Sequence, residues 1–187
     1  NNFITFFGSG GVLGAIEGSA GGVTLDMTGS DYAEWFPRAD PDEVLEPGDV
    51  VSVSERGVRH DPRDARYLAV VSTSPVVLGG RPPESERSRH AKIALLGQVP
   101  VKVRGVVSPG DYILADGRDG VGKAVGADRV TLEQLSLLVG VAWEGSTVEE
   151  VKKIRVAVGL PAQHAWNLVN DRLEEMQRRL EEISSSR

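Results

Sequence analysis

Val99-Pro100-Val101-Lys102-Val103-Arg104-Gly105-Val106 is the stretch of this chain that most directly indicates its fold. Apolar residues alternate with polar or small ones, which is the period-two pattern of a strand with one buried face. Pro100 has no backbone N–H, so we expect a sheet edge or a bulge at that position. The stretch predicts a protein built mainly from β strands.

The same signals recur throughout residues 30–160. Turn sequences such as Pro47-Gly48-Asp49 and Pro109-Gly110-Asp111 alternate with short β-branched runs. This pattern predicts a β barrel or a sandwich-like domain over 30–160, with an exposed loop at 81–90 and one short helical turn at 131–135.

Residues 1–29 have a different composition, because eight of these 29 residues are glycine and three short β runs lie between them. A segment this short cannot bury a core by itself. It also carries too many apolar residues, Phe6 and Phe7 among them, for a flexible linker. We therefore predict the end of a threefold β shaft that packs against identical copies, and the alternative is a linker.

The C-terminal segment, 161–187, carries the clearest helical pattern. Its apolar residues follow one another at spacings of 3, 4, 3, 4 and 3. Such a narrow stripe over about three heptads predicts a coiled coil, and its Leu and Ile positions favour three or four strands over a dimer. The alternative is an amphipathic helix folded back on the β domain. The residues expected at the trimer interface are Trp166, Val169, Leu173, Met176, Leu180 and Ile183.

Composition excludes several classes of function. The chain has 187 residues, a net charge of -6 and no cysteine, which argues against a general nucleic-acid binder and excludes thiol chemistry. No apolar run approaches the ~20 residues of a membrane span. The three histidines lack metal-ligand spacing, so we expect surface histidines, no metal and no cofactor. Because the chain begins with Asn1 rather than Met, we interpret it as a fragment of a longer polypeptide.

Ser30-Asp31-Tyr32-Ala33-Glu34-Trp35-Phe36 marks the change in composition between the first two segments. Spacing alone makes Asp31 and Glu34 a near match to a helix capping box, with Pro37 ending the helix after one turn. The same carboxylates also allow a second interpretation, a peptide bond placed for cleavage at a domain junction.

Several stretches resemble the autoproteolytic intramolecular-chaperone domain found at the C-terminus of phage neck-appendage, tail-spike and tail-fibre proteins. They include Asn2–Phe7, Gly29–Phe36, Ala94–Val103 and Ser108–Leu114 within a resemblance that covers about residues 2–160. The resemblance implies a homotrimeric domain that helps the upstream fibre shaft of the same polypeptide to fold. It also implies assembly in the bacterial cytoplasm, a place in the virion and, in cleaving members, self-removal by carboxylate chemistry.

Carried onto this chain, the resemblance places the scissile bond between Ser30 and Asp31. Either the Ser30 hydroxyl attacks its own carbonyl to give an ester, or Asp31 and Glu34, with Asp26 as a further candidate, activate water. The predicted function is trimerisation and folding of a fibre, with self-cleavage. The alternative is a permanent, non-cleaving trimer cap or a tip that binds a host glycan.

Overall fold

The structure is a computed structural model that describes residues 2–19, 21–63, 65–117, 119–159, 169, 173–174, 176–179 and 182–183. The described part of the chain is mainly β, as the sequence predicted. The strands are β1 (Asn2–Gly8), β2 (Gly11–Ser19), β3 (Gly22–Met27), β4 (Asp31–Pro37), β5 (Val50–Ser54), β6 (Gly57–Arg59), β7 (Tyr67–Val71), β8 (Pro75–Gly79), β9 (His90–Arg104), β10 (Tyr112–Ala115), β11 (Gly122–Val125), β12 (Leu138–Ala142) and β13 (Lys152–Val158).

Within the described residues, two short 3₁₀ helices interrupt the strands. The first, Glu84–Arg89, lies in the segment expected to be an exposed loop. The second, Glu133–Leu137, lies where one helical turn was predicted.

The long strand β9 belongs to two parts of one sheet. Its C-terminal half pairs with β13, and the order β9-β13-β12-β10-β11 returns to β9 through a parallel pairing of Gly122 with Val103. These five strands form a closed barrel. The N-terminal half of β9 pairs with β4 and β7, which extend the sheet to β8 on one side and to β5 and β6 on the other.

The alternation in residues 99–106 places the valines of β9 inside the barrel. Val99, Val101 and Val103 are fully buried in the larger core cluster. Pro100 and Lys102 between them, and Arg104 after them, are not buried. A second core cluster, which includes Val51, Val71 and Ile93, lies under the other part of the sheet. Burial of these β-branched side chains is the main favourable contribution to the fold.

Pro100 occupies a position where β9 lacks a strand on one side. It lies opposite Arg155 of β13, and Lys102, two residues further on, donates its N–H to the Gly48 carbonyl in a turn. Because backbone groups alternate along a strand, the position of the missing Pro100 N–H faces the same turn. This arrangement agrees with the edge expected there.

Strands β1, β2 and β3 form a separate antiparallel sheet in the order β1-β2-β3. We call it the N-terminal meander. Phe6 and Phe7 are both exposed although adjacent strand residues point to opposite faces, and Val23 and Leu25 are exposed on β3. The meander therefore presents apolar side chains to solvent on both faces.

The described positions beyond residue 160 are helical. Val169 is half-buried, and Leu173, Met176 and Ile183 are exposed. Trp166 and Leu180 lie outside the described residues, and the trimeric coiled coil stays a prediction. Within the part of the chain that the structure describes, no helix has the length and apolarity needed to span a membrane.

Candidate functional site at the Ser30–Asp31 junction

The capping-box interpretation of Asp31 and Glu34 is wrong, because both residues lie in strand β4. Asp31 pairs with Pro75 of the parallel strand β8 and with Gly97 of the antiparallel strand β9. Strands on both sides supply the backbone hydrogen bonds that one helical turn would otherwise provide. Tertiary pairing thus overrides the local helix signal.

The peptide bond between Ser30 and Asp31 is held by backbone groups of two neighbouring segments. The Ser30 N–H donates to the Ser74 carbonyl at 3.2 Å, and the Gln98 N–H donates to the Ser30 carbonyl at 3.2 Å. The Ser30 hydroxyl donates to the Gln98 carbonyl at 2.7 Å. Ser30 is thus fixed at its amide, its carbonyl and its side chain.

Gly97 allows β9 to approach this peptide closely. A Cβ atom on Gly97 would lie 2.4 Å from the Ser30 carbonyl oxygen and 2.8 Å from Asp31 Cα. The Gly97 φ of 132° also lies in the region that favours glycine. Any side chain here would displace the junction from the Gln98 N–H.

The Asp31 side chain points into the protein. It is 1% exposed, and among the described residues its Oδ2 atom has no hydrogen-bond partner of good geometry. Burial raises the pKa of the Asp31 carboxyl, and the nearby Ser72 hydroxyl opposes part of that rise. The Ser72 Oγ atom has no well-aligned partner either, so we treat its contact with Asp31 as a weak one. Such a carboxyl holds its proton at a higher pH than usual, which suits a proton donor.

Glu34 and Asp26 do not join Asp31 within one chain. Glu34 is exposed, on the face of β4 opposite to the buried Asp31 and Ala33. It lies against Gly79 of β8, and its charge adds to the burial that raises the pKa of Tyr67. Asp26 is exposed in β3 of the N-terminal meander. The carboxylate pair predicted from sequence is therefore absent from a single described chain.

Sequence reasoning missed the residues that surround the junction. Gln98, Ser72 and Ser74 come from segments that are more than 40 positions from Ser30 in the chain. Gly97 gave one usable signal, because an isolated glycine within a strand pattern indicates a bulge or a close backbone approach. Both occur here, since β9 has a register shift beside this position.

A second polar cluster centres on Asp49, at the turn that contacts β9. His60 Nε2 lies 2.9 Å from Asp49 Oδ2, and His60 Nδ1 lies 3.1 Å from Glu43 Oε1. Lys102 Nζ lies 2.7 Å from Asp49 Oδ1 and 2.6 Å from Glu46 Oε2. The prediction of surface histidines was wrong for His60, whose side chain is 13% exposed. His90 is partly exposed, and His164 lies outside the described residues.

The charges of this cluster stabilise one another. The hydrogen bond to Asp49 raises the pKa of His60 despite its burial. Burial opposes ionisation of Asp49, but the bonds from His60 and Lys102 outweigh it and lower the pKa of the Asp49 carboxyl. The cluster ties the hairpin of β5 and β6 to β9. Across the described residues, no group of three or more His, Cys, Asp or Glu side chains is arranged to hold a metal ion.

The fold and the junction define a mainly β protein with a five-stranded barrel and a constrained Ser–Asp peptide. Solved structures that are similar to it include two of the same phage protein. One is the pre-mature gene product 12 of bacteriophage phi29, with a TM-score of 0.49 and 15% identity over 79% of this chain and 24% of that chain. The other is a C-terminal fragment of the same phage protein, with a TM-score of 0.49 and 16% identity over 68% of this chain and 99% of the fragment.

This chain thus spans about a quarter of the pre-mature phage protein. No family model matches the chain. No curated protein matches it either.

Asp31→Asn should stabilise the folded protein at neutral pH. Because the folded pKa of Asp31 is raised, its ionisation costs stability, and that cost builds up as pH rises from the usual aspartate range through the folded pKa. The stability gap between variant and wild type should be largest at neutral pH and should narrow as pH falls. Urea unfolding across a pH series measures the gap, with Asp42→Asn at an exposed position as control. A gap that does not change with pH would contradict the burial of this carboxyl.

His60→Gln should destabilise the protein most at acid pH. A raised folded pKa means that the imidazolium contributes stability below about 6.5, and this contribution is lost as pH rises through the folded pKa. The same pH series measures the difference from wild type, and an NMR titration of the His60 ring locates the folded pKa. His90→Gln is the matched control, because its Nδ1 atom contacts only the Glu86 carbonyl within the described structure. Equal pH profiles for the two variants would exclude the proposed linkage.

Proposed function

We propose that this chain is the trimerising, folding-assisting C-terminal part of a phage fibre or spike, and that it cuts itself at Ser30–Asp31 after assembly. The observation that carries the proposal is the exposure of apolar side chains on both faces of the N-terminal meander. Phe7 is 71% exposed and Val23 is 69% exposed. The class of protein that we propose comes from the resemblance of residues 2–160 to phage intramolecular-chaperone domains.

A three-stranded sheet with both faces in water has little burial to offset the entropy of its ordering. Two additional copies of the same segment would cover these faces with complementary apolar surface. Phe3 already lies over Gly18 of the neighbouring strand, which leaves the rest of its ring available to another chain. The three meanders would then form the last turn of a threefold shaft.

The C-terminal stripe supports the same stoichiometry from the other end of the chain. Leu173, Met176 and Ile183 are helical and exposed, as expected for one strand of a coiled coil without its partners. Spacing and residue type favour three or four helices. A trimer with one threefold axis would cover the exposed apolar residues both of the meander and of the C-terminal helix.

The junction has features that favour hydrolysis by water over attack by Ser30. The Ser30 hydroxyl is engaged with the Gln98 carbonyl, and its attack on its own carbonyl carbon would close a strained four-membered ring. Water would instead add to that carbon, and the Gln98 N–H would stabilise the oxyanion. The C–N bond would then break, and protonated Asp31 would supply the proton to its own departing amino group.

This scheme also needs a general base to take a proton from the attacking water. Glu34 of the same chain is on the opposite face of β4 from Asp31, so the base must come from elsewhere. Glu34 points to solvent, where a neighbouring copy would pack. We assign the base to Glu34 of a neighbouring copy in the trimer. Cleavage would then require assembly, because one chain alone lacks the complete pair.

The trimer is tested by sedimentation of the intact chain. We expect a trimer at micromolar concentration, and we expect Phe7→Asp to lower its association constant at least about a hundredfold, since a buried unpaired charge costs several kcal/mol. Val44→Asp is the matched control, because Val44 is equally exposed at 71% but lies in the loop between β4 and β5, outside the meander. A monomeric wild type, or equal effects of both variants, would count against the shaft interface.

Cleavage is tested by intact-mass measurement during incubation. The expected products are residues 1–30 and 31–187, and their rate of formation should follow the trimer fraction as concentration rises. Glu34→Gln and Asp31→Asn should each abolish cleavage, while Glu150→Gln, at an exposed position, should not. An intact wild-type trimer after long incubation would instead define a non-cleaving trimer cap.

Mixing the two inactive variants locates the base. In a mixed trimer, Asp31 of a Glu34→Gln chain meets Glu34 of an Asp31→Asn chain. Cleavage should return, and mass spectrometry should find it only in the Glu34→Gln chains. If neither chain is cut although mixed trimers form, the assignment of Glu34 to a neighbouring copy is wrong.

A further inference from the structure

An open groove of about 380 Å³ lies beside strand β4, where β7, β9 and the 3₁₀ helix Glu84–Arg89 meet. We call it the basic groove. It contains no Asp or Glu, although acidic residues outnumber basic ones in the whole chain by 27 to 21. The residues that carry its polar chemistry are Trp35, Arg38, Ser72, Arg87, His90 and Lys92.

The cations of the basic groove are incompletely neutralised. Arg38 donates through Nη1 to the Glu43 carbonyl at 2.9 Å and through Nη2 to the Ser88 carbonyl, so both of its described partners are neutral. Lys92 lies over the Trp35 ring, with Nζ 5.4 Å from the ring centroid. Arg87 pairs with Glu84 at 2.6 Å. One carboxylate therefore faces three permanent cations in the described structure.

The groove also collects buried donors that lack a partner. Trp35 Nε1, Arg38 Nε and Arg87 Nε are buried, and none of them donates a hydrogen bond to an acceptor among the described residues. Ser72 is 4% exposed, and its Oγ atom is likewise unpaired by strict geometry. Buried donors are nearly always satisfied in native proteins, because an unmade bond is costly. All four of these atoms, Trp35 Nε1, Arg38 Nε, Ser72 Oγ and Arg87 Nε, belong to residues that line this one groove.

A ligand that accepts several hydrogen bonds and carries negative charge would satisfy these donors and balance these cations. Water would satisfy the donors in part but brings no charge. We propose that the basic groove binds a small oxyanion, a phosphate or a carboxylate group. Arginine and the indole N–H would donate to its oxygens, and Lys92 would balance its charge. This site does not depend on trimerisation or on cleavage.

Titration calorimetry of the full chain tests the site with inorganic phosphate in one arm and acetate in the other, at constant ionic strength in chloride. We expect saturable binding of at least one of the two anions, and the arm that saturates identifies the oxyanion. The Trp35 indole N–H resonance should shift during the same titration, and its assignment comes from Trp35→Phe.

Arg87→Gln and Lys92→Gln should each weaken binding at least about tenfold. Arg129→Gln is the matched control, since the Arg129 side chain is 74% exposed and lies 4.0 Å from Asp128, away from the groove. Thermal unfolding checks that each variant is folded. If Arg87→Gln does not fold, the effect of Lys92→Gln on anion binding tests the site by itself. No saturable binding in either arm, or equal weakening by Arg129→Gln, would overturn the proposal.

Discussion

The backbone pairing of β9 is the constraint on which the rest of the structure depends. This strand of 15 residues supplies one wall of the barrel through β13 and β11 and the centre of the other sheet through β4 and β7. It makes both connections because it bends, with a register shift opposite Tyr32 and Ala33 and a positive φ at Gly97. The strand contributes to both core clusters, with Ala94, Val99, Val101 and Val103 in one and Ala91 and Ile93 in the other. The apex of the bend is also where Ser30 and Asp31 contact the strand.

The position of Asp31 follows from this bend and carries an energetic cost. Strand pairing on both sides turns its carboxyl into the protein, where no described cation neutralises it. Asp49 shows the alternative within the same fold, because it is equally buried yet contacts both His60 and Lys102. Burial of a carboxyl is therefore compatible with this fold in two ways. The Asp49 carboxylate is neutralised by its partners and stabilises the turn. The Asp31 carboxyl is left with a raised pKa at the junction, as is common for groups that transfer protons.

The sequence was sufficient for the elements whose signals are local. The alternation at 99–106, the Pro-Gly-Asp turns and the glycine-rich meander each predict the strand content that the structure has. It was insufficient where partners are distant in the chain. Asp31 and Glu34 have helix-capping spacing, and only pairing with β8 and β9, more than 40 residues away, makes them a strand. His60 gave no sign of burial, because its partners Asp49 and Glu43 come close to it only in the folded chain. The basic groove is likewise assembled from three separated segments.

The two faces of β4 explain why assembly would control the proposed chemistry. Its inner face is filled by its own chain, with Asp31 and Ala33 buried. Its outer face presents Tyr32 and Glu34 to solvent, beside a meander whose apolar residues are also exposed. A neighbouring copy that covers the meander would lie close to β4, since only Thr28, Gly29 and Ser30 separate the two. Apolar burial would thus supply the free energy that brings a second carboxylate to the junction. Hydrolysis of the Ser30–Asp31 bond would then occur only after the shaft has formed.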